Sequence, residues 1–298
     1  MEYVPAAGRP AADRDGPFPA RFAAISPSTP LIPVATLDDP RLACYRDLNQ
    51  RNLTRLSGLF IAEGEKVVDR LIASRFAVAS LLAEPAYAER YAGRVDPEVP
   101  IYVVSRALMC QTVGFAFHRG IMGCGRRGPA PDLACWLARQ GDAPATLVVC
   151  PDVHDPTNLG SIIRATAALG GSGVLLGRGC ADPFSRRVLR VSMGAALVLP
   201  VFESSDLAAD LERLRESGFL RVAAVLDPAA QPLAGWTPTP RVALLLGNEG
   251  HGLDDAWQRQ AECRVTIPMQ AGIDSLNVAA AAAVLLYHVL HVGTPSSR

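Results

Sequence analysis

Lysine is nearly missing from this chain: of 29 basic residues, all but Lys66 are arginine, and 29 acidic residues cancel them. A formal net charge of zero argues against a protein held to nucleic acid by bulk charge. The arginine skew fits genome base composition, although the planar guanidinium also suits phosphate contacts. The seven cysteines (44, 110, 124, 135, 150, 180 and 263) form no Cys-x-x-Cys pair. An odd, scattered set excludes a disulfide framework and a thiolate metal site, and it fits a reduced cytoplasmic interior. Early acidic residues and prolines suit no signal or transit peptide. The longest apolar stretch, Val278 to Val292, contains His288 and His291. It falls short of the ~20 residues a membrane span requires, so it reads as a buried helix. A GxGxxG fingerprint with a downstream ribose-binding acid is also missing, which excludes the usual dinucleotide site.

What is present suits a globular α/β protein of two domains: 298 residues, 49% of them hydrophobic. Residues 1–40, rich in Ala, Pro, Gly and Arg, read as a flexible extension. A helical pattern runs from Arg41 to about Leu56. Strand and helix signals then alternate through Phe60–Gly64, Glu65–Ser74, Val78–Ala83, Pro85–Ala92 and Ile101–Val104, which predicts a small α/β sandwich over 41–125. Residues 41–127 carry 13 basic against 8 acidic side chains, so an electrostatic footprint for RNA falls on this first domain. Gly125 to Pro131, with Arg126, Arg127 and two prolines, marks a linker set at 126–144. Over 145–298 strands are expected at 146–150, 174–176, 197–201, 221–226, 242–246 and 264–267. Helices are expected at 159–169, 186–193, 206–216, 254–261 and 275–292. The pattern by itself draws an ordinary doubly wound sheet, since knots are very rare.

Three strands of this second region run into polar, glycine-bearing turns. Thr146–Cys150 leads into Asp152-Val153-His154-Asp155-Pro156-Thr157-Asn158-Leu159-Gly160. Val242–Leu246 leads into Gly247-Asn248-Glu249-Gly250-His251-Gly252. Val265–Ile267 leads into Pro268-Met269-Gln270-Ala271-Gly272-Ile273-Asp274-Ser275-Leu276-Asn277 and an alanine-rich helix. Loops at the carboxyl ends of strands are where open α/β sheets hold small ligands. Ser275 is placed to cap the last helix, and Asn277 offers both a donor and an acceptor.

In this order and wording the three segments resemble the signature motifs of the SpoU/TrmH family of SPOUT methyltransferases, over roughly residues 145 to 292. The resemblance implies an S-adenosylmethionine-dependent enzyme that methylates a ribose 2′-hydroxyl of structured RNA, ribosomal or transfer. It implies a deep trefoil knot in the C-terminal α/β domain, overriding the doubly wound reading, and a cytoplasmic homodimer paired through the last helix. A softer likeness links Arg51, Phe60–Gly64, Gly114-Phe115 and His118-Arg119-Gly120 to the ribosomal-protein-like domain that docks RNA in many of these enzymes. An RNA-binding or assembly factor that keeps the fold without catalysis is the alternative, and methylation of a base is a third option.

The resemblance also implies residue roles. Arg164 is the catalytic residue, with Asn158, Glu249, Ser275 and Asn277 around it. Leu246, Gly247, Asn248, Ile267, Met269, Leu276 and Asn277 hold the cofactor. A guanidinium keeps its proton, so Arg164 is expected to grip a phosphate and stabilise the developing alkoxide. No metal is needed: orientation can supply roughly 7–11 kcal/mol of the acceleration. His154 and His251 read as loop residues, Ser192–Ala195 as a turn against RNA or helix, and Arg186, Arg187 and Arg190 as phosphate contacts. For the last helix, Val278, Ala279, Ala282, Leu285, Leu286, Val289 and Leu290 carry more apolar surface than one side of a sheet can cover, hence the expected dimer.

Overall fold

The computed structural model describes residues 29–46, 48, 57–270 and 275–292. Arg51 and most of the helix expected to reach Leu56 lie outside them; Pro40–Tyr45 forms a 3₁₀ turn. The first sheet holds β1 (Leu31–Pro33), β2 (Leu59–Glu63), β3 (Val78–Ala83), β4 (Ile101–Val103) and β5 (Ile121–Arg126), in the order β1-β4-β3-β5-β2. Strands β1, β4 and β3 run parallel, and β5 is antiparallel to β3 and β2. Strand β1 lies inside the stretch read as a flexible extension. It is held there by parallel pairing of Leu31 with Ile101. Helices α1 (Glu65–Ile72), α2 (Pro85–Tyr91) and α3 (Arg106–Val113) cover the sheet.

Strand β5 and helix α3 were not anticipated. The sequence reading starts a linker at Gly125, yet a Cβ on Gly125 would fall 2.3 Å from the Phe60 ring. One on Gly123 would lie 2.9 Å from Leu71. Glycine inside a strand here marks close approach of neighbouring side chains.

The second sheet is wholly parallel: β6 (Ala145–Cys150), β7 (Gly173–Leu176), β8 (Val201–Glu203), β9 (Leu220–Ala224), β10 (Gln231–Pro232), β11 (Arg241–Leu245) and β12 (Cys263–Thr266). Their order is β10-β12-β9-β11-β6-β7-β8. Strands β6 and β11 are buried along their whole length, as parallel strands covered on both faces must be. Around them lie α4 (Leu133–Gln140), α5 (Pro156–Leu169), α6 (Arg186–Val191), α7 (Leu207–Glu216), α8 (Asp255–Gln258) and α9 (Val278–Tyr287). The last continues as a π turn, His288–Val292, in which the buried His288 bonds the Trp236 carbonyl at 2.7 Å. The strand expected at 197–201 begins only at Val201, after a 3₁₀ turn at Ala195–Leu197.

The two sheets share one hydrophobic core, which includes Phe60, Leu71, Val148, Ile162 and Phe184. Phe184 packs on Phe60 and Phe76, with ring centroids 5.4 and 5.1 Å away. Charged pairs reinforce the junction. Arg186 meets the buried Glu63 at 2.5 Å and lies 4.5 Å over Phe115. Arg127 bonds Asp182 and Glu203 while lying 4.9 Å over Phe184. The stretch set down as a linker is therefore structural: Arg126 closes β5, and α4 buries Trp136 against Phe202. The chain between β12 and α9, on which the implied knot turns, includes residues 271–274 outside the described set. Among the described residues no helix is long and apolar enough to cross a membrane.

Candidate active site

Because the second sheet is parallel, β6, β11 and β12 deliver their loops to one edge. The β6 loop ends where Asp155 caps α5, accepting from the Thr157 amide at 2.6 Å, with Pro156 starting the helix. Below this loop the Cys180 thiol accepts from the Val153 amide and donates to the Cys150 carbonyl. Burial pushes Cys180 up to about 11 and Cys150 well above the usual thiol range. Neither thiol is a nucleophile at neutral pH.

The β11 loop folds back on itself. Asn248 and Gly252 exchange backbone hydrogen bonds at 2.8 and 3.1 Å, and the Asn248 side chain accepts from Gly250 at 2.7 Å. A Cβ on Gly247 would stand 2.3 Å from the carbonyl carbon of Gly252, so only glycine fits.

Side chains join the three loops. Glu249 accepts from the Asp155 amide at 3.0 Å, the His154 amide at 3.3 Å and the Asn158 side-chain amide at 3.1 Å. The Asn277 side-chain amide donates to the Asn158 side-chain oxygen Oδ1 at 2.8 Å. Asn248 donates to the Asp152 carbonyl at 2.9 Å. Partial burial pushes the Glu249 carboxyl up, but these donors and its own amide outweigh it and hold the carboxyl below the ordinary glutamate range. Glu249 is thus an ionised acceptor that ties loops together, and it is poorly suited to act as a general base.

Asn277, and not Ser275, caps α9: its Oδ1 accepts from the amides of Ala279 and Ala280 at 2.9 and 3.3 Å. The helix begins at Val278, so Ser275 falls too far upstream and stays exposed. Ser275 lines the cavity described next.

A cavity of about 540 Å³ opens between the β11 and β12 loops over the end of β9. Leu246, Gly247, Asn248, Ile267, Met269, Leu276 and Asn277 all line it, as do Glu249 and Ser275. Apolar side chains beside free backbone groups suit a flat heterocycle carrying a polar tail, so S-adenosylmethionine fits the residues present. Reading the three motifs missed one wall: Ala224, Val225, Leu226 and Asp227, from the end of β9. No glycine-rich turn marks that strand end; its place on the same edge is the only signal.

Arg164 stands outside this cavity. It is exposed on α5, with neither a hydrogen bond nor an ion pair among the described residues. Six residues separate it from Asn158, which turns it about 120° away around the helix. Asn158 sits in the seam between loops. His154 and His251 both face the Asp152 carboxylate, at 2.5 and 3.8 Å, and both are exposed. Arg186 is no phosphate contact, since it is spent on Glu63 and Phe115. Ser192 is fully buried and Met193 takes a φ of 54°, with its carbonyl accepting from Arg70, so this turn braces the two sheets. Among the described residues no cluster of His, Cys, Asp or Glu could hold a metal ion.

Comparison with known proteins matches this architecture. The model of the SpoU rRNA methylase family covers residues 145–287. An uncharacterized tRNA/rRNA methyltransferase of Mycobacterium bovis is 41% identical over 258 residues, 84% of this chain and 88% of that protein. The 23S rRNA (guanosine(2553)-2′-O)-methyltransferase of Bacillus subtilis is 27% identical over 82% of this chain and 94% of its own. A Sinorhizobium meliloti rRNA methyltransferase, solved with AdoMet bound, superposes with a TM-score of 0.77 at 26% identity, covering 87% of this chain and 97% of that one. With the three motif loops gathered on one sheet edge and a relative 41% identical over 84% of its length, the chain belongs to the SpoU rRNA methylase family.

Proposed function

We propose that this protein transfers a methyl group from S-adenosylmethionine to a ribose 2′-hydroxyl of ribosomal or transfer RNA. The observation that carries the reading is the Glu249–Asn158–Asn277 seam, which ties all three loops beside a nucleoside-sized cavity. A protein that had lost catalysis has no reason to keep Arg164 exposed and unpaired on the helix that carries Asn158.

Bound in the cavity, S-adenosylmethionine supplies an electrophilic methyl group. The chain's own residues do the rest. Leu246, Ile267, Met269 and Leu276 enclose the adenosine, Gly247 lets the backbone approach it closely, and Asn248 holds the loop beside it. Asn158 and Asn277 fix the edge against which the ribose lies. Arg164 grips an RNA phosphate and stabilises charge growing on the 2′-oxygen, while a phosphate oxygen or water takes the hydroxyl proton. The five-stranded sheet, with its positive excess, docks the RNA. The same reading includes a trefoil knot through β11, β12 and α9, and a cytoplasmic setting.

Incubating the protein with S-adenosylmethionine and unmodified rRNA and tRNA transcripts, then digesting to nucleosides, should yield a 2′-O-methylated nucleoside by mass spectrometry. A base-methylated product would overturn the ribose assignment. Absence of cofactor binding at millimolar concentration would favour the non-catalytic alternative.

The reading also includes a homodimer, though through different residues from those the sequence suggested. Ala282, Leu285, Leu286 and Val289 are buried within one chain, where α9 packs on α5. The exposed stripe is Ala280, Val284 and Tyr287, with Val284 43% and Tyr287 55% exposed. Spacings of four and three residues place these on one helix face. Sedimentation at micromolar protein should show a dimer; a monomer with full activity would remove the requirement for one.

A further inference from the structure

We infer that Arg187 is a substrate-positioning residue that grips a phosphate of the RNA strand entering the site. The inference rests on the ribose-methylation reading above. Three arginines, 186, 187 and 190, lie on α6, and the fold assigns them different work. Arg186 is turned inward onto Glu63 and Phe115. Arg190 is half-buried, and Arg187 is exposed.

Arg187 is held next to the reaction seam. Its Nε donates to the Thr157 hydroxyl at 3.2 Å, one residue before Asn158. That contact depends on close approach of α6 to α5. At Gly160 a Cβ would stand 2.8 Å from the Val191 Cβ and 3.1 Å from the Val188 carbonyl oxygen, so α6 packs directly on the α5 backbone. With Nε engaged, the two terminal nitrogens of the guanidinium remain to donate outward, the fork that matches two oxygens of one phosphate.

Position and charge both point to RNA. Thr157 and Arg164 are seven residues apart on α5, about two helical turns, and therefore share a face. Arg187, anchored on Thr157, and Arg164 thus stand along one side of the helix. Neither has a carboxylate partner among the described residues, whereas Arg127, Arg186, Arg213, Arg215, Arg221 and Arg264 are all paired. Two aligned guanidinium groups without counter-charge form a track for a phosphate backbone. Arg164 then serves the reacting ribose, and Arg187 a neighbouring phosphate.

The test uses the full chain with unmodified 23S rRNA and tRNA transcripts, measuring RNA affinity across salt, turnover and S-adenosylmethionine affinity. Arg187→Ala should weaken RNA binding about tenfold or more, the scale of one charge-assisted hydrogen bond. It should lower the slope of log affinity against log salt by about one, raise KM for RNA, and leave kcat and cofactor affinity within about threefold. Arg187→Lys should recover most of the salt slope. Thr157→Val, which removes the anchor but keeps the charge, should leave the slope unchanged. If Arg187→Ala instead lowers kcat with RNA affinity and slope intact, the residue merely braces α5 and the phosphate assignment falls. If it weakens cofactor binding, the assignment falls likewise. Wild-type protein that neither binds nor methylates either transcript overturns the ribose-methylation reading and this inference with it.

Discussion

Arg164→Ala should lower turnover on the order of 10²–10³-fold, the loss expected when one electrostatic stabiliser of a developing oxyanion is removed. Cofactor affinity should stay within about threefold, because Arg164 does not line the 540 Å³ cavity. Stability should also be preserved, since the side chain is exposed and bonds to nothing among the described residues. Arg164→Lys should rescue poorly: an ammonium is a point charge and cannot reproduce the two-nitrogen fork. Single-turnover kinetics with saturating RNA separates chemistry from RNA docking. An alanine variant that turns over near the wild-type rate would remove Arg164 from the catalytic centre.

Gly247→Ala should abolish measurable cofactor binding, a loss of about 100-fold or more by calorimetry. Its Cβ would stand 2.3 Å from both the Gly252 carbonyl carbon and the Leu253 amide nitrogen. Backbone cannot swing aside as a side chain can, so the loop would have to open. Opening it breaks the Asn248–Gly252 exchange and shifts Glu249 away from Asn158 and the Asp155 amide. The cavity wall and the seam to the first loop fail together, so turnover should fall in parallel. Strand β11 beneath is fully buried and paired on both sides with β6 and β9, so circular dichroism should stay native. Wild-type affinity for S-adenosylmethionine in this variant would show that the β11 loop does not form the binding wall.

The family, the α/β character and the cofactor were legible in the sequence because they rest on local wording. Strand-to-loop transitions at Cys150, Leu246 and Ile267 are short stretches in which backbone freedom, caps and apolar runs must coincide, and each is visible within about a dozen residues. Gly247 is of this kind, a close approach written into the residue type, whereas the cap expected at Ser275 falls to Asn277 because the helix starts at Val278. Mis-readings arose where local and tertiary demands conflict. Gly125 reads as the start of a linker but lies in β5, because the Phe60 ring occupies the space a side chain would need. Leu285, Leu286 and Val289 look like an interface but fill the core against α5, since periodicity marks an apolar face without saying what covers it.

Only the tertiary structure decided which groups meet. Asn158, Glu249 and Asn277 are spread over 120 residues of chain, and nothing local marks them as hydrogen-bond partners. Parallel strand order brings β6, β11 and β12 to one edge, and that order is a property of the whole sheet. The same holds for Arg186 and Arg187. Adjacent and chemically identical in sequence, they point 100° apart on a helix, so one is spent on Glu63 and Phe115 while its neighbour reaches Thr157. Residue type set what each side chain can do; packing around it determined which of those capacities is used.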